Sequence, residues 1–178
     1  LHATKYLASA HGLQRIVASK LRMTSRTQAV MLLALNQRPS ADMRIISINT
    51  NGIRAAARKG FFDWMQRREP DVVCIQETKA QEHQLEDSQF YPKGYHCYYF
   101  DAEKKGYSGV AIYSRKEPDQ IITGLGWDHV DTEGRYIQAD FGKLSVASFY
   151  LPSGSSSEER QINKLKFMDE VLEDLKAM

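Results

Sequence analysis

The 178 residues are 42% apolar, enough for one buried core, and a formal charge of +2 is too small to mark a nucleic-acid binder by itself. That charge is uneven: residues 1–42 hold six Lys/Arg against Asp42 alone, which leaves 43–178 with 18 basic and 21 acidic residues, a net of −3. Two cysteines with no CxxC and no metal spacing argue against a disulfide framework, and the longest apolar run, Ala29–Leu35, falls well short of the roughly 20 residues that cross a membrane.

Residues 1–42 show no clean hydrophobic period, and no fold is assigned to them. Three readings compete: read-through from upstream of the true start, a basic Ser-containing targeting peptide, or a basic arm for nucleic acid. The first is favoured, because Met43 opens a strong strand and would serve as a start codon. The expected organisation is a basic segment, 1–42, outside the fold, followed by a domain over 43–178.

From Met43 the pattern is legible. Met43–Ile48 is a short β-branched run, read as a buried strand, and Asn49-Thr50-Asn51-Gly52 ends it with turn chemistry. Residues 54–68 are predicted helical, with Phe61, Phe62, Trp64 and Met65 as the apolar face and Pro70 as the stop. Asp71–Gln76 is a second buried strand. Tyr95–Phe100, Gly109–Ser114, Arg135–Phe141 and Leu144–Tyr150 follow, the last two joined through Gly142-Lys143 as a hairpin turn. Ser156-x-x-Glu159 is a capping box for a helix whose Ile162, Leu165, Met168, Leu172 and Leu175 recur at helical spacing. Strands joined first through a helix and then by hairpins predict an α/β fold, a mixed sheet with helices on its outer face. Runs such as Val72–Ile75 are apolar on both faces, so a second layer is required. Cys74 and Cys97 are expected to be buried free thiols in a reducing cytosol. His83, His96 and His129 have no partner spacing and are read as structural or exposed.

Five constellations carry chemistry. In Asn49-Thr50-Asn51-Gly52-Ile53-Arg54 two amides and a glycine sit where a buried strand meets a loop, the place where α/β proteins handle ligands; an Asn-rich turn is the plain alternative. In Gln76-Glu77-Thr78-Lys79 a carboxylate directly follows an apolar strand. A carboxylate there must be paired, exposed or bound to a cation, and Mg²⁺ takes sites with one or two carboxylates, completed by water and phosphate. Taken alone, such a Glu is better explained as exposed and paired with Lys79. Tyr150, leading into Pro152-Ser153-Gly154, can donate to a phosphate oxygen or simply cap a core. Gly106-Tyr107-Ser108-Gly109 and Glu133-Gly134-Arg135 each offer one residue, Tyr107 or Arg135, to a sugar-phosphate chain. Each element alone is weak.

Their order and spacing together resemble the exonuclease III / abasic-site endonuclease family, within the endonuclease–exonuclease–phosphatase group, over Met43 to Met178; residues 1–42 have no counterpart. The resemblance implies the N-terminal half of a four-layer α/β sandwich. It implies Glu77 as the metal carboxylate, with Asn49 beside it organising metal and attacking water, and Tyr150 at the scissile phosphate. Asn51, Arg54, Lys79, Tyr107, Arg135 and Ser153 are implied as DNA contacts, although relatives often have Asn or Gln where Ser153 stands. The implied enzyme is a Mg²⁺-dependent phosphodiester hydrolase, with Mn²⁺ as a substitute. It would cut duplex DNA 5′ of abasic sites and trim 3′ ends, as a monomer when full length, away from membranes, in the bacterial cytosol and nucleoid.

The same resemblance implies a Gly-Asp-x-Asn motif and a late Asp-His pair. Neither occurs: Asp128-His129 lies in the wrong half, ahead of Glu133-Gly134-Arg135. The chain is therefore expected to hold about one of two sheets, to expose that sheet's inner face, to be poorly soluble and to be inactive alone. The alternative function is a non-catalytic RNA-associated regulator on the same fold, of the catabolite repression control type, which Met43–Gly52 and Tyr113-Ser114-Arg115 also resemble; retention of Glu77 and Lys79 favours the nuclease. A phosphoesterase for lipids or small phosphates is a third reading, and Tyr150-x-Pro152-x-Gly154 favours the DNA branch over it.

Overall fold

A computed structural model describes residues 43–152, 162, 164, 165 and 167–171, and the backbone of 3–8 and 30–34. The strands are β1 (Ala3–Ala8), β2 (Val30–Ala34), β3 (Met43–Asn49), β4 (Val72–Gln76), β5 (His96–Phe100), β6 (Val110–Ser114), β7 (Gln120–Thr123), β8 (Tyr136–Phe141) and β9 (Leu144–Phe149). The helices are α1 (Ile53–Arg58), α2 (Phe61–Arg68) and the single turn α3 (Asp128–Asp131). The described residues fall into two compact units, one running to Tyr150, the other holding Leu151, Pro152 and the described helical residues after 161.

The first unit contains two sheets, ordered β1-β3-β4-β6-β5 and β2-β9-β8-β7. In the first, β3 and β4 run parallel and every other pair is antiparallel. A parallel pair needs a crossover, and α1 with α2 supplies it. The predicted helix 54–68 is thus real but broken: Gly60 takes φ 80 and splits it into α1 and α2. Phe61, Phe62 and Met65 are buried, as their spacing predicts, and pack with Ile46, Ile48, Val73, Ile75, Ala111 and Tyr113 on the outer face of the sheet.

The alternate residues of the same strands point the other way. Ile45, Val72, Cys74, Val110 and Ile112 form one cluster with Ile137, Ala139, Phe141 and Val146 of the second sheet. The expectation of one sheet with a bare inner face is therefore overturned. The hairpin β8–β9 belongs to a second sheet packed face to face with the first, which is why β4 and β6 are buried at every residue. The mixed sheet with helices outside stands, and it is a two-sheet sandwich within this one unit.

The predicted hairpin turn is confirmed: Phe141 pairs with Leu144, and Gly142 takes the positive φ of 66 that a two-residue loop demands. Two elements escaped the sequence reading, β7 and α3, because their four residues each are too short to show a period. Within 1–42, which received no fold, 3–8 pairs with β3 and 30–34 with β9. Both are edge pairings, held by backbone groups that an open sheet edge offers to any extended segment, so no side-chain pattern announces them.

In the second unit, residues 162, 164, 165 and 167–171 are helical, as predicted, but the face is different. Phe167 and Val171 are buried while Ile162 and Leu165 are about half exposed, at 47% and 51%. Phe167 and Val171, four apart, form a stripe of their own beside the expected one. Ser156, Glu159, Leu172 and Leu175 lie outside the described residues. No helix among the described residues is long and apolar enough to cross a membrane. Cys74 is buried and Cys97 only half-buried; both are free, and burial pushes each thiol up to about 12, so neither is a ready nucleophile. His83, His96 and His129 are exposed.

Close packing rather than apolar area governs one seam. Gly134, at φ 55, lies so near the exit of β5 that a Cβ would stand 2.5 Å from the backbone carbon of Asp101. Gly134→Ala should cost about 3 kcal/mol, the sum of left-handed strain and a backbone clash, read as a lower urea midpoint at unchanged slope.

Candidate active site

The parallel register brings Asn49 of β3 beside Gln76 of β4, so the two chains leave the sheet together. One residue further, Glu77 faces Asn49: the Asn49 Nδ2 donates to Glu77 Oε1 at 2.6 Å. Antiparallel pairing of Gln76 with Val110 sets the loop Ser108-Gly109 opposite, where Thr78 N donates to the Gly109 carbonyl at 3.0 Å and Lys79 N to that of Ser108 at 2.9 Å.

The corner is strained. Of the five described non-glycine residues with positive φ, four lie here: Asn51 (47°), Glu77 (54°), Lys79 (49°) and Ser108 (44°). Such conformations persist only when surrounding bonds over-determine them. Here the Gly52 and Ile53 amides donate to the Glu77 and Thr78 carbonyls at 2.8 and 2.9 Å, and Thr50 Oγ1 donates to the Glu77 carbonyl at 2.9 Å. The β3 exit loop is thereby stitched to the β4 exit loop residue by residue. Gly109, φ 82, must be glycine, since a Cβ there would meet Thr78 Oγ1 at 2.2 Å.

Lys79 Nζ lies 2.9 Å from Glu77 Oε2 and donates to Asn51 Oδ1 at 2.6 Å. The Asn51 backbone N–H donates to Asn49 Oδ1 at 2.8 Å, closing a ring that runs through three side-chain contacts and the Asn51 main chain. Tyr150, just past β9, comes from the second sheet and hydrogen-bonds the same Glu77 carboxylate. Burial pushes the Glu77 carboxyl up, but hydrogen bonds from Asn49, Lys79 and Tyr150 outweigh it and hold the group below its ordinary value of 4.5. Burial, and then the Glu77 carboxylate, push the Tyr150 hydroxyl well up, so it stays protonated and can donate.

The structure thus brings together Asn49, Asn51, Glu77, Lys79 and Tyr150. Arg54 is exposed on α1, and Tyr107 is 37% exposed on the loop before β6. Ser153 lies outside the described residues. Arg135 departs from the sequence reading. It is 3% exposed, and its guanidinium is taken up by Glu133, by the Tyr150 carbonyl at 3.0 Å and by the Tyr107 hydroxyl at 3.1 Å. Its place opposite Tyr150 at the open end of the β8–β9 hairpin encloses it, and three of the guanidinium's five N–H donors are engaged within the chain.

Gln76 was missed. It is wholly buried, and its Nε2 donates to Ser148 Oγ of the other sheet at 3.1 Å. The available signal was an amide ending a strand that is otherwise entirely apolar.

Residues 46–175 match the model of the Endonuclease/Exonuclease/phosphatase family. The chain belongs to that family. It is 38% identical over 131 residues to an exodeoxyribonuclease of Bacillus subtilis (strain 168), covering 73% of this chain and 51% of that one. It is 33% identical over 128 residues to a DNA-(apurinic or apyrimidinic site) endonuclease of Dictyostelium discoideum, covering 71% and 35%. Among solved structures it matches an AP endonuclease from Archaeoglobus fulgidus with TM-score 0.63 and 30% identity, over 72% of this chain and 49% of that one. The chain spans about half the length of these relatives, or less.

Nucleases of this family depend on a divalent metal. The donor set here fits a hard cation. Glu77 is ionised, and its Oε2 already faces a positive group, the Lys79 ammonium. Among the described residues no three His, Cys, Asp or Glu converge, so such an ion must complete its shell with water and phosphate, as Mg²⁺ commonly does.

The Glu77 shift has a pH consequence. Its carboxyl binds a proton less readily folded than unfolded, so the ionised form contributes stability above the ordinary value of 4.5, and that contribution is lost as pH falls through the lower folded value. In metal-free buffer, Glu77→Gln should flatten this part of the acid limb when unfolding is measured by urea across acid and neutral pH.

Proposed function

We propose that this chain supplies the metal-binding half of the active site of a Mg²⁺-dependent phosphodiester hydrolase that acts on duplex DNA at abasic sites and 3′ ends. The observation that carries the reading is the ionised Glu77 carboxylate at the strand ends, bracketed by Asn49, Lys79 and a protonated Tyr150. The abasic-site endonuclease and exodeoxyribonuclease among its relatives support DNA as the substrate class.

Glu77 would hold the cation, which when bound offsets charge building on the scissile phosphate. Asn49 fixes the carboxylate by donating to Oε1 and is itself fixed through Oδ1 by the Asn51 amide. Lys79, 34% exposed, neutralises Oε2 and stays within reach of an incoming phosphate. The Tyr150 hydroxyl keeps its proton and can pass its hydrogen bond from Glu77 to a phosphate oxygen, which is acceptor-only. Arg54 and Tyr107 are exposed and suit backbone contacts, which position a duplex without reading its bases. On this reading the chain by itself does not nick DNA. The intact Glu77–Lys79 pair speaks against a non-catalytic regulator.

The test is nicking of a duplex with one abasic site, by the chain alone and by the chain fused to the portion of the Bacillus exodeoxyribonuclease beyond the aligned stretch. The fusion should nick only with Mg²⁺, and Glu77→Ala and Tyr150→Phe should each lower the rate about 10²–10³-fold. Undiminished nicking by Glu77→Ala would sink the assignment. A folded fusion that binds RNA and never nicks would move the reading to the regulator.

A further inference from the structure

Arg135 is a buried cation shared between two phenols. Its Nε donates to the Glu133 carboxylate, its Nη1 to the Tyr150 carbonyl and its Nη2 to the Tyr107 hydroxyl. The guanidinium carbon lies 4.9 Å from the Tyr150 ring centroid and 5.9 Å from that of Tyr107, so it also binds both ring faces. The Tyr107 ring takes a second cation, the Lys104 ammonium at 5.4 Å. The two tyrosines differ in access: Tyr107 is 37% exposed, whereas Tyr150 is half-buried with its hydroxyl on Glu77.

The hydrogen-bond inventory gives this arrangement a direction. A phenol hydroxyl carries one proton and two lone pairs. Tyr107 accepts from Arg135, which leaves its own proton for a partner outside, and accepting from a cation makes that proton a better donor. The partner it suits is an anionic oxygen. On the other side, the same guanidinium pins Tyr150 through its carbonyl and its ring face.

We infer that Arg135 is a positioning residue that couples Tyr107 to Tyr150, so that a phosphate oxygen bound by the Tyr107 hydroxyl is registered at Tyr150 and Glu77. The identity of that oxygen, a nucleic-acid backbone phosphate, rests on the proposed function; the coupling does not. Arg135 acts through the tyrosines and makes no phosphate contact of its own, unlike Lys79 or Arg54 at the surface. Glu133, 38% exposed, balances its charge.

The experiment uses the whole chain with ¹³C-labelled tyrosine rings and follows the Tyr107 and Tyr150 signals by NMR, assigned by Tyr→Phe substitution. Tyr107→Phe, at an exposed position, should shift the Tyr150 signal in the otherwise native protein and leave it unmoved in an Arg135→Lys background. A Tyr150 signal that ignores Tyr107→Phe, or that moves equally with Lys at 135, overturns the coupling. If Arg135→Lys does not fold, the response of Tyr150 to Tyr107→Phe alone decides the matter. Binding of a short duplex across a salt series gives the second readout. Arg135→Lys should leave the salt slope unchanged, and a slope reduced by about one phosphate would show direct contact and overturn the inference. Absence of duplex binding by the native chain would fail the DNA reading while the tyrosine signals still judge the coupling.

Discussion

The site depends on one buried side chain that ties the two sheets together. Gln76 is wholly buried between them, donating to Ser148 Oγ at 3.1 Å and lying 3.3–3.4 Å from Ser47 Oγ, while Ser148 Oγ donates to the Ile75 carbonyl at 2.9 Å. An amide so placed would cost about 1–3 kcal/mol if left unpaired, so the sheets can slide past one another only by breaking these bonds. The consequence is positional. Glu77 directly follows Gln76, and Tyr150 lies two residues beyond Ser148, just past the end of β9. The polar tie therefore sets how far apart the carboxylate and the tyrosine can stand.

Around that tie the chain is held in conformations it would not choose. Glu77, Lys79, Asn51 and Ser108 all take left-handed backbone angles, each costing about 1–3 kcal/mol, and the cross-loop amide bonds hold them there. The return is preorganisation. Asn49, Asn51, Glu77 and Lys79 form a closed ring of hydrogen bonds and one ion pair, completed through the Asn51 backbone N–H, before anything binds. Electrostatics follows from that geometry, since the donors outweigh the desolvation of Glu77 and keep it charged.

Arg135 extends the same logic to the second sheet. It stands at the start of β8 because the two-residue turn at Gly142 fixes the hairpin register, and that register sets its carbonyl against the Tyr150 amide at 2.9 Å. A turn at one end of a hairpin thus decides which cation holds the tyrosine at the other.

Much of this was legible in the residues. Apolar β-branched runs located most of the strands, Gly142-Lys143 located the hairpin, and Glu77 after Gln76 marked a carboxylate where a strand ends, because burial and turn chemistry act locally and leave local patterns. The break at Gly60, the four-residue β7 and α3, and the edge strands of 1–42 were not legible, being set by a single φ, by length or by backbone pairing alone. What only the tertiary structure decided is the partnership of sheets. An unbroken apolar run states that β4 is buried on both faces, and it is silent on what buries each. For the same reason Arg135 read as a surface contact. An arginine's sequence neighbours say that it is charged, whereas its enclosure by Tyr107, Glu133 and Tyr150, two of them distant in the chain, exists only once the strands have been placed.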